Sequence, residues 1–167
     1  MPFVDMTDRY TNTMEDATAL YQHLKKILDV VTRSFNTGNR IGLYFVLANS
    51  EGFPLLSFAV GKIREERFFK CWKRAHEKAY RLGKNEGHLT SWESRDPTRG
   101  RLGGAVRVPS RDLILSVDGL RENLDAAVGL ALVRAQYPEI LYDVLLEIDR
   151  RFSESPMLEM LMAKMSE

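Results

Sequence analysis

Residues 41–60, IGLYFVLANSEGFPLLSFAV, decide the fold. Residues 41–48 are a nearly continuous apolar run, too short for a helix and rich in strand formers. They predict a central strand covered on both faces. NSEG at 49–52 is turn chemistry. Residues 53–60 then read as a second strand, so the whole segment predicts a β-hairpin. Pro54 has no N–H to donate, which places it at the start of its strand or on an edge. Downstream lies a second pair, LGGAVRVP at 102–109 and RDLILSV at 111–117. A tight turn at Pro109-Ser110 joins them, and Asp118-Gly119 ends the second.

Helical periodicity fills the space around these strands. Residues 15–36 carry Leu20, Leu24, Ile27, Leu28 and Val31 at three- and four-residue spacing, with Thr13 as the expected N-cap and Gly38 as the stop. Residues 64–82 form a second helix, with Phe68, Trp72, Ala75, Ala79 and Leu82 as its expected buried stripe and Gly83 as its stop. Residues 121–136 form a third. Gly129 costs roughly 1 kcal/mol against alanine inside a helix, so close packing is the expected reason for it. Pro138 opens a fourth helical stretch through Phe152, with Ile140, Leu141, Val144, Leu145, Ile148 and Phe152 on one face. SESP at 153–156 breaks it. The Met-rich tail is read either as a docked piece of core or as an adaptable surface for a partner.

The order is helix, two strands, helix, loop, two strands, helix, helix. Hairpins joined by helices predict an α/β (α+β) architecture, an antiparallel sheet sandwiched by helices. The polar loop at 84–100 has room for a short helix or an edge strand, which brings the sheet to about five strands. Residues 1–137 make up the sandwich, and 138–167 form a helical extension that packs on it or on a partner subunit.

Composition bounds the function. With 167 residues and 44% hydrophobic side chains, the chain needs no disulfide or metal to fold. Net charge is +1, which argues against a dedicated nucleic-acid or membrane-surface protein. No apolar run approaches the roughly 20 residues that span a bilayer. The single cysteine, Cys71, excludes an internal disulfide, and a reducing cytoplasm is the expected compartment. Charge is nonetheless uneven. Residues 62–81 hold eight basic and three acidic side chains, whereas residues 139–167 hold seven acidic and three basic. This polarity reads as solvated helix faces, or as a surface for assembly or for an anion.

No phosphate-binding glycine loop, zinc spacing or nucleophile elbow is present. No nucleophile or acid–base pair declares itself, so the sequence assigns no reaction and no catalytic residue. Cys71, on a basic helix, is read either as a thiol with lowered pKa or as a small boundary side chain. His23, His76 and His88 are not at metal-ligand spacing, and only His88 stands in a polar loop within reach of a pocket. Trp92 in that loop either docks on the body or stacks on a ligand. Arg95, Arg99, Arg101, Arg107 and Arg111 crowd around Gly103-Gly104, and guanidinium groups suit carboxylates and phosphates. The glycines have no side chain to keep a ligand from the backbone.

GGAVRVPSRDLILSVDGL followed by LDAAVGLAL resembles the C-terminal half of GlcG-type haem-binding and haem-degrading domains. RFFKCWKRAHEKAYRLG is similar to that family's middle helix, and residues 41–60 to its first hairpin, so the resemblance covers residues 15–136. It implies a profilin-like sandwich, homo-oligomerisation, and a small ligand such as haem or another tetrapyrrole. Gly103 and Gly104 match the family's Gly-Gly pair, and Gly119 its glycine after the second strand. Arg101 or Arg107 would then pair with propionate-like carboxylates, Trp92 would stack, and His88 would be the iron contact. Asp118 stands where the family has serine, which puts a carboxylate at the strand end. The competing expectation is a non-enzymatic assembly domain that uses the helical C-terminus as its interface.

Overall fold

The computed structural model describes residues 13–167. Five helices and four strands make up the described residues, in the order α1 (Thr13–Ser34), β1 (Ile41–Asn49), β2 (Pro54–Lys62), α2 (Glu65–Lys84), β3 (Ala105–Arg107), β4 (Leu113–Asp118), α3 (Glu122–Gln136), α4 (Tyr142–Phe152) and α5 (Leu158–Met165). Two 3-10 turns, Ser91–Ser94 and Pro97–Arg99, lie between α2 and β3. The side chain of Thr13, expected as a cap, lies outside the described residues.

All strand pairs are antiparallel, in the spatial order β2-β1-β4-β3. The expected hairpin is β1–β2, running from Ile41↔Lys62 to Ala48↔Pro54, with an irregularity at Leu47/Ala48. Pro54 opens its strand, and β2 is an edge. The sheet has four strands rather than about five. What could be a fifth is reduced to one bridge, Thr90↔Val106. β3 itself is three residues long because Gly104, at φ 130, and the turn after Val108 interrupt it on both sides. Ser110 turns the chain in a left-handed conformation at φ 63.

Side chains alternate across the sheet. Leu43, Phe45, Leu47, Val60, Leu115 and Val117 share one face with α1, α3, α4 and α5 in a single apolar core. Tyr44, Val46, Ala48, Ala105 and Ile114 face α2 on the other side. α3 is buried almost all round, as expected of a helix wedged between a sheet and other helices. The C-terminal extension docks on its own domain, since Leu145, Leu158 and Leu161 are fully buried in the main core. α4 starts at Tyr142, not at Pro138. Residues 137–140 form a turn closed by Ile140 N–H on Tyr137 O at 3.0 Å, and Arg134 donates to the carbonyls of Pro138 and Ile140.

α2 is rotated from its expected orientation. Phe68 and Trp72 are 43% and 40% exposed, and the buried stripe is Cys71, Ala75, Lys78, Ala79 and Leu82. Apolar periodicity could not count a buried lysine. Gly83 is not the left-handed stop either. It lies inside the last turn of α2, where a Cβ would collide with the backbone of Glu51 and Gly52 in the hairpin turn.

Candidate functional site

The long segment between α2 and β3 is held by two buried or half-buried arginines. Arg81 donates to the carbonyls of Ser91 at 2.8 Å, Ser94 at 3.0 Å and Leu102 at 2.5 Å, and pairs with Glu77 at 2.7 Å. Arg107 donates to the carbonyls of His88 at 2.8 Å, Ser50 at 2.9 Å and Leu82 at 2.6 Å. A carbonyl is half-charged at best, so burial pushes the Arg107 pKa down. Three segments thus converge on Arg107, and its guanidinium is largely committed to the backbone.

The glycines are filled by the protein itself. Trp92 lies where a Cβ on Gly103 would stand, and the Arg95 guanidinium covers the indole at 4.9 Å. Gly103 N–H donates to Glu122 Oε1 at 2.7 Å, and Arg95 pairs with the same carboxylate at 2.7 Å. A Cβ on Gly104 would stand 2.6 Å from Val117 O and 2.7 Å from Lys78 Nζ. Gly119, at φ 151, lies against Gly42 O and the Leu43 backbone. Arg101 is exposed on a loop that bridges back to Asp96. His88 is half-buried, and its Nδ1 is buried without a partner, as is Trp92 Nε1.

Beneath the glycine pair lies a buried ionic cluster. Lys78 Nζ contacts Asp118 Oδ1 at 2.8 Å, Val117 O at 2.8 Å and Asp125 Oδ2 at 3.5 Å, which uses all three ammonium donors. Burial alone would lower the Lys78 pKa, but the two carboxylates outweigh it and raise it. Burial pushes the Asp125 carboxyl up to about 7, against the pull of Lys78. Asp125 Oδ1 also accepts from Leu120 N–H at 2.9 Å, which ties the start of α3 to the end of β4. Cys71 borders this cluster. Burial first, then Asp118, pushes its thiol up to about 11, so it is not an activated thiolate. With every donor of Lys78 used and its side chain buried, the cluster is a clamp between α2, β4 and α3.

A concave, mostly apolar surface lies elsewhere, between the β3–β4 turn and α4. It is a groove of about 380 Å³. Leu89, Val108, Pro109, Val144, Ile148 and Phe152 supply its apolar lining, and Arg107, Arg111 and Arg151 its positive charge, against one carboxylate, Glu147. Arg111 lies over the Tyr137 ring at 4.7 Å and pairs with Glu139 at 2.5 Å. Arg151 lies over Phe152 at 4.9 Å and makes no ion pair among the described residues. Of the residues that the resemblance assigns to a ligand, Arg107 alone lines this groove, joined by Arg111 from the arginine cluster read as suited to an anion, with His88 adjacent through its carbonyl. Gly103, Gly104, Gly119, Arg101 and Trp92 do not line it. Sequence reasoning missed Arg151 and Glu147. The signal it held was the apolar stripe of α4, whose outer members Val144 and Phe152 face the groove.

Among the described residues no group of three or more His, Cys, Asp or Glu side chains is placed to hold a metal. No helix among them is long and apolar enough to cross a membrane. The described residues form a mixed α/β sandwich with an amphipathic, arginine-bearing groove beside α4. No protein-family model matches the chain, and no curated protein matches it.

Proposed function

We propose that this protein binds a small amphipathic anion in the groove between the β3–β4 turn and α4. The observation that carries this reading is the pairing of an apolar floor with Arg111 and Arg151 at its margin. An apolar body would displace water from Val108, Ile148 and Phe152, and a carboxylate or phosphate would take the guanidinium groups in charge-assisted hydrogen bonds. The resemblance of residues 15–136 to GlcG-type domains supports a ligand of this kind, in a profilin-like sandwich. A tetrapyrrole meets the description through its carboxylate edge. It does not through its iron, because no imidazole, thiol, thioether or phenol lines the groove.

Titration with haemin and with metal-free protoporphyrin, followed by calorimetry, tests this. Both should bind with similar affinity, since the metal is not the anchor. Arg111→Ala and Arg151→Ala should each weaken both ligands roughly tenfold, the loss of about one charge-assisted hydrogen bond. Arg101→Ala and His88→Ala should change neither. Absence of binding, or binding abolished by His88→Ala and untouched by Arg151→Ala, rejects the assignment.

A further inference from the structure

A second groove, of about 380 Å³, lies between α4 and α5. Leu146, Asp149 and Arg150 line it from α4, Glu159, Met160 and Ala163 from α5, and Pro156 from the loop that joins them. Four of these seven side chains are apolar. Two of the charged ones satisfy each other: Arg150 reaches Glu159 across the groove at 2.8 Å, and both are exposed. That leaves Asp149, which makes no ion pair among the described residues.

Asp149 is only 3% exposed. Its Oδ2 accepts the Leu158 N–H at 2.8 Å, which fastens the start of α5 to α4. Its Oδ1 is buried and has no partner. Fastening α5 takes one oxygen, and a neutral asparagine or serine would do it without burying a charge. A buried carboxylate with an orphaned oxygen is costly, so the cap alone does not account for an acid here. Burial raises its pKa, and the N–H groups of Leu158 and Met157 and the Arg150 guanidinium oppose the shift without cancelling it. Ser153, which ends α4 four residues on, has a buried Oγ that also lacks a partner. The end of α4 thus holds two polar atoms that no described residue meets.

We propose that this groove binds a small primary amine in its ammonium form, carried on an apolar body. The ammonium supplies both the donor and the charge that Asp149 Oδ1 lacks, in a charge-assisted hydrogen bond. The apolar body lies against Leu146, Met160 and Ala163, and the unbranched, flexible Met160 adapts to its shape. An anion is disfavoured, since the lining carries two carboxylates against one arginine that is already paired. A hard metal ion is disfavoured as well, because it wants about six oxygen ligands and the groove offers one unpaired carboxylate between apolar walls. The volume stands near the lower end of the range for small-molecule sites, about 300–1,000 Å³, which fits an amine with a short chain or a single ring. This site shares no lining residue with the arginine groove on the other side of α4 and has the opposite sign, so it does not rest on the anion reading.

Calorimetric titration of the full chain at neutral pH with n-hexylamine, and with 1-hexanol as its uncharged counterpart, tests this. Hexylamine should bind at least about tenfold more tightly than hexanol, because only the ammonium answers the carboxylate. Asp149→Asn keeps an oxygen for the Leu158 N–H and removes the charge, and should weaken hexylamine by at least about tenfold. Ala163→Phe, at an exposed position in the lining, fills the groove and leaves Asp149 untouched. It should weaken hexylamine by a similar factor. Circular dichroism melts establish that the variants fold, and if Asp149→Asn does not, Ala163→Phe and the hexanol comparison decide. No binding of hexylamine up to about 10 mM overturns the proposal. So does hexanol binding as tightly as hexylamine, or a folded variant of either kind that binds hexylamine as the unmutated chain does.

Discussion

Lys78 Nζ stands 2.8 Å from Asp118 Oδ1, with the two side chains 1% and 6% exposed. The pair links a helix on one face of the sheet to a central strand, and Asp125 extends it to a helix on the other face. Removing one partner leaves an uncompensated buried charge, which typically costs about 3–5 kcal/mol. Lys78→Met should therefore lower the unfolding free energy by an amount in that range, read in urea from the midpoint and slope of the transition. Lys78→Met with Asp118→Ser and Asp125→Asn should recover much of the loss, because no unpaired charge remains. If the triple variant is no more stable than Lys78→Met, the cost lies in packing and not in charge.

Asp125 also makes stability depend on pH. Its folded pKa, pushed up to about 7 by burial, lies above the unfolded value of about 4. The folded state therefore binds the extra proton. Stability from this group is complete below about pH 4 and is lost as the pH rises through about 7, with a slope of up to about 1.4 kcal/mol per pH unit. Burial raises the Asp149 pKa as well, and it adds to the slope with the same sign. Urea unfolding from pH 4.5 to 7.5 should show this decline, and Asp125→Asn should flatten it. A slope unchanged in the variant assigns the titration elsewhere.

The hairpin was legible because its signals are local: an apolar run, a turn and a proline that must sit at an edge. Four of the five helices were legible for the same reason, apart from the start of α4, where a proline that suits a helix start closes a turn instead; α5 lay in a tail whose methionines and leucines were read only as a docked piece or a partner surface. What sequence could not place was any feature built by distant residues. Lys78 is invisible as a core residue until Asp118 and Asp125, 40 and 47 residues away, are brought beside it. That omission rotated the expected face of α2 and hid an exposed aromatic stripe among residues read as core. Arg107 was picked out for its chemistry, but the groove it lines depends on α4 arriving from the far end of the chain. Asp118 was noticed as an anomaly before its partner was known.

Arg107 also explains how an almost structureless segment is kept in place. Its fork reaches the carbonyls of His88, Ser50 and Leu82, which belong to the long loop, the hairpin turn and the end of α2. A lysine has one nitrogen and cannot span these directions. Arg107→Lys should cost about 1–3 kcal/mol, through carbonyls left without a donor. The loss should appear in hydrogen exchange as faster opening of residues 85–104, while α1 and α3 keep their protection. Uniform acceleration across the protein would show that Arg107 supports the whole fold and not the loop.

The glycines give opposite predictions that one experiment separates. A Cβ on Gly129 would meet Val106 Cγ1 at 3.6 Å and Gly104 O at 3.8 Å, which is ordinary contact. Close packing, the reason expected from sequence, does not require this glycine. Gly129→Ala should stabilise the protein by about 0.5–1 kcal/mol, because alanine costs less to hold in a helix. A Cβ on Gly103 would instead overlap the Trp92 indole. Gly103→Ala must push that ring out from under Arg95, at a cost of about 1–3 kcal/mol for an overpacked site. Thermal melts of the two variants should move in opposite directions, and Gly103→Ala alone should shift the tryptophan emission to longer wavelength. A stabilising Gly103→Ala would mean that Trp92 is not seated on the glycine.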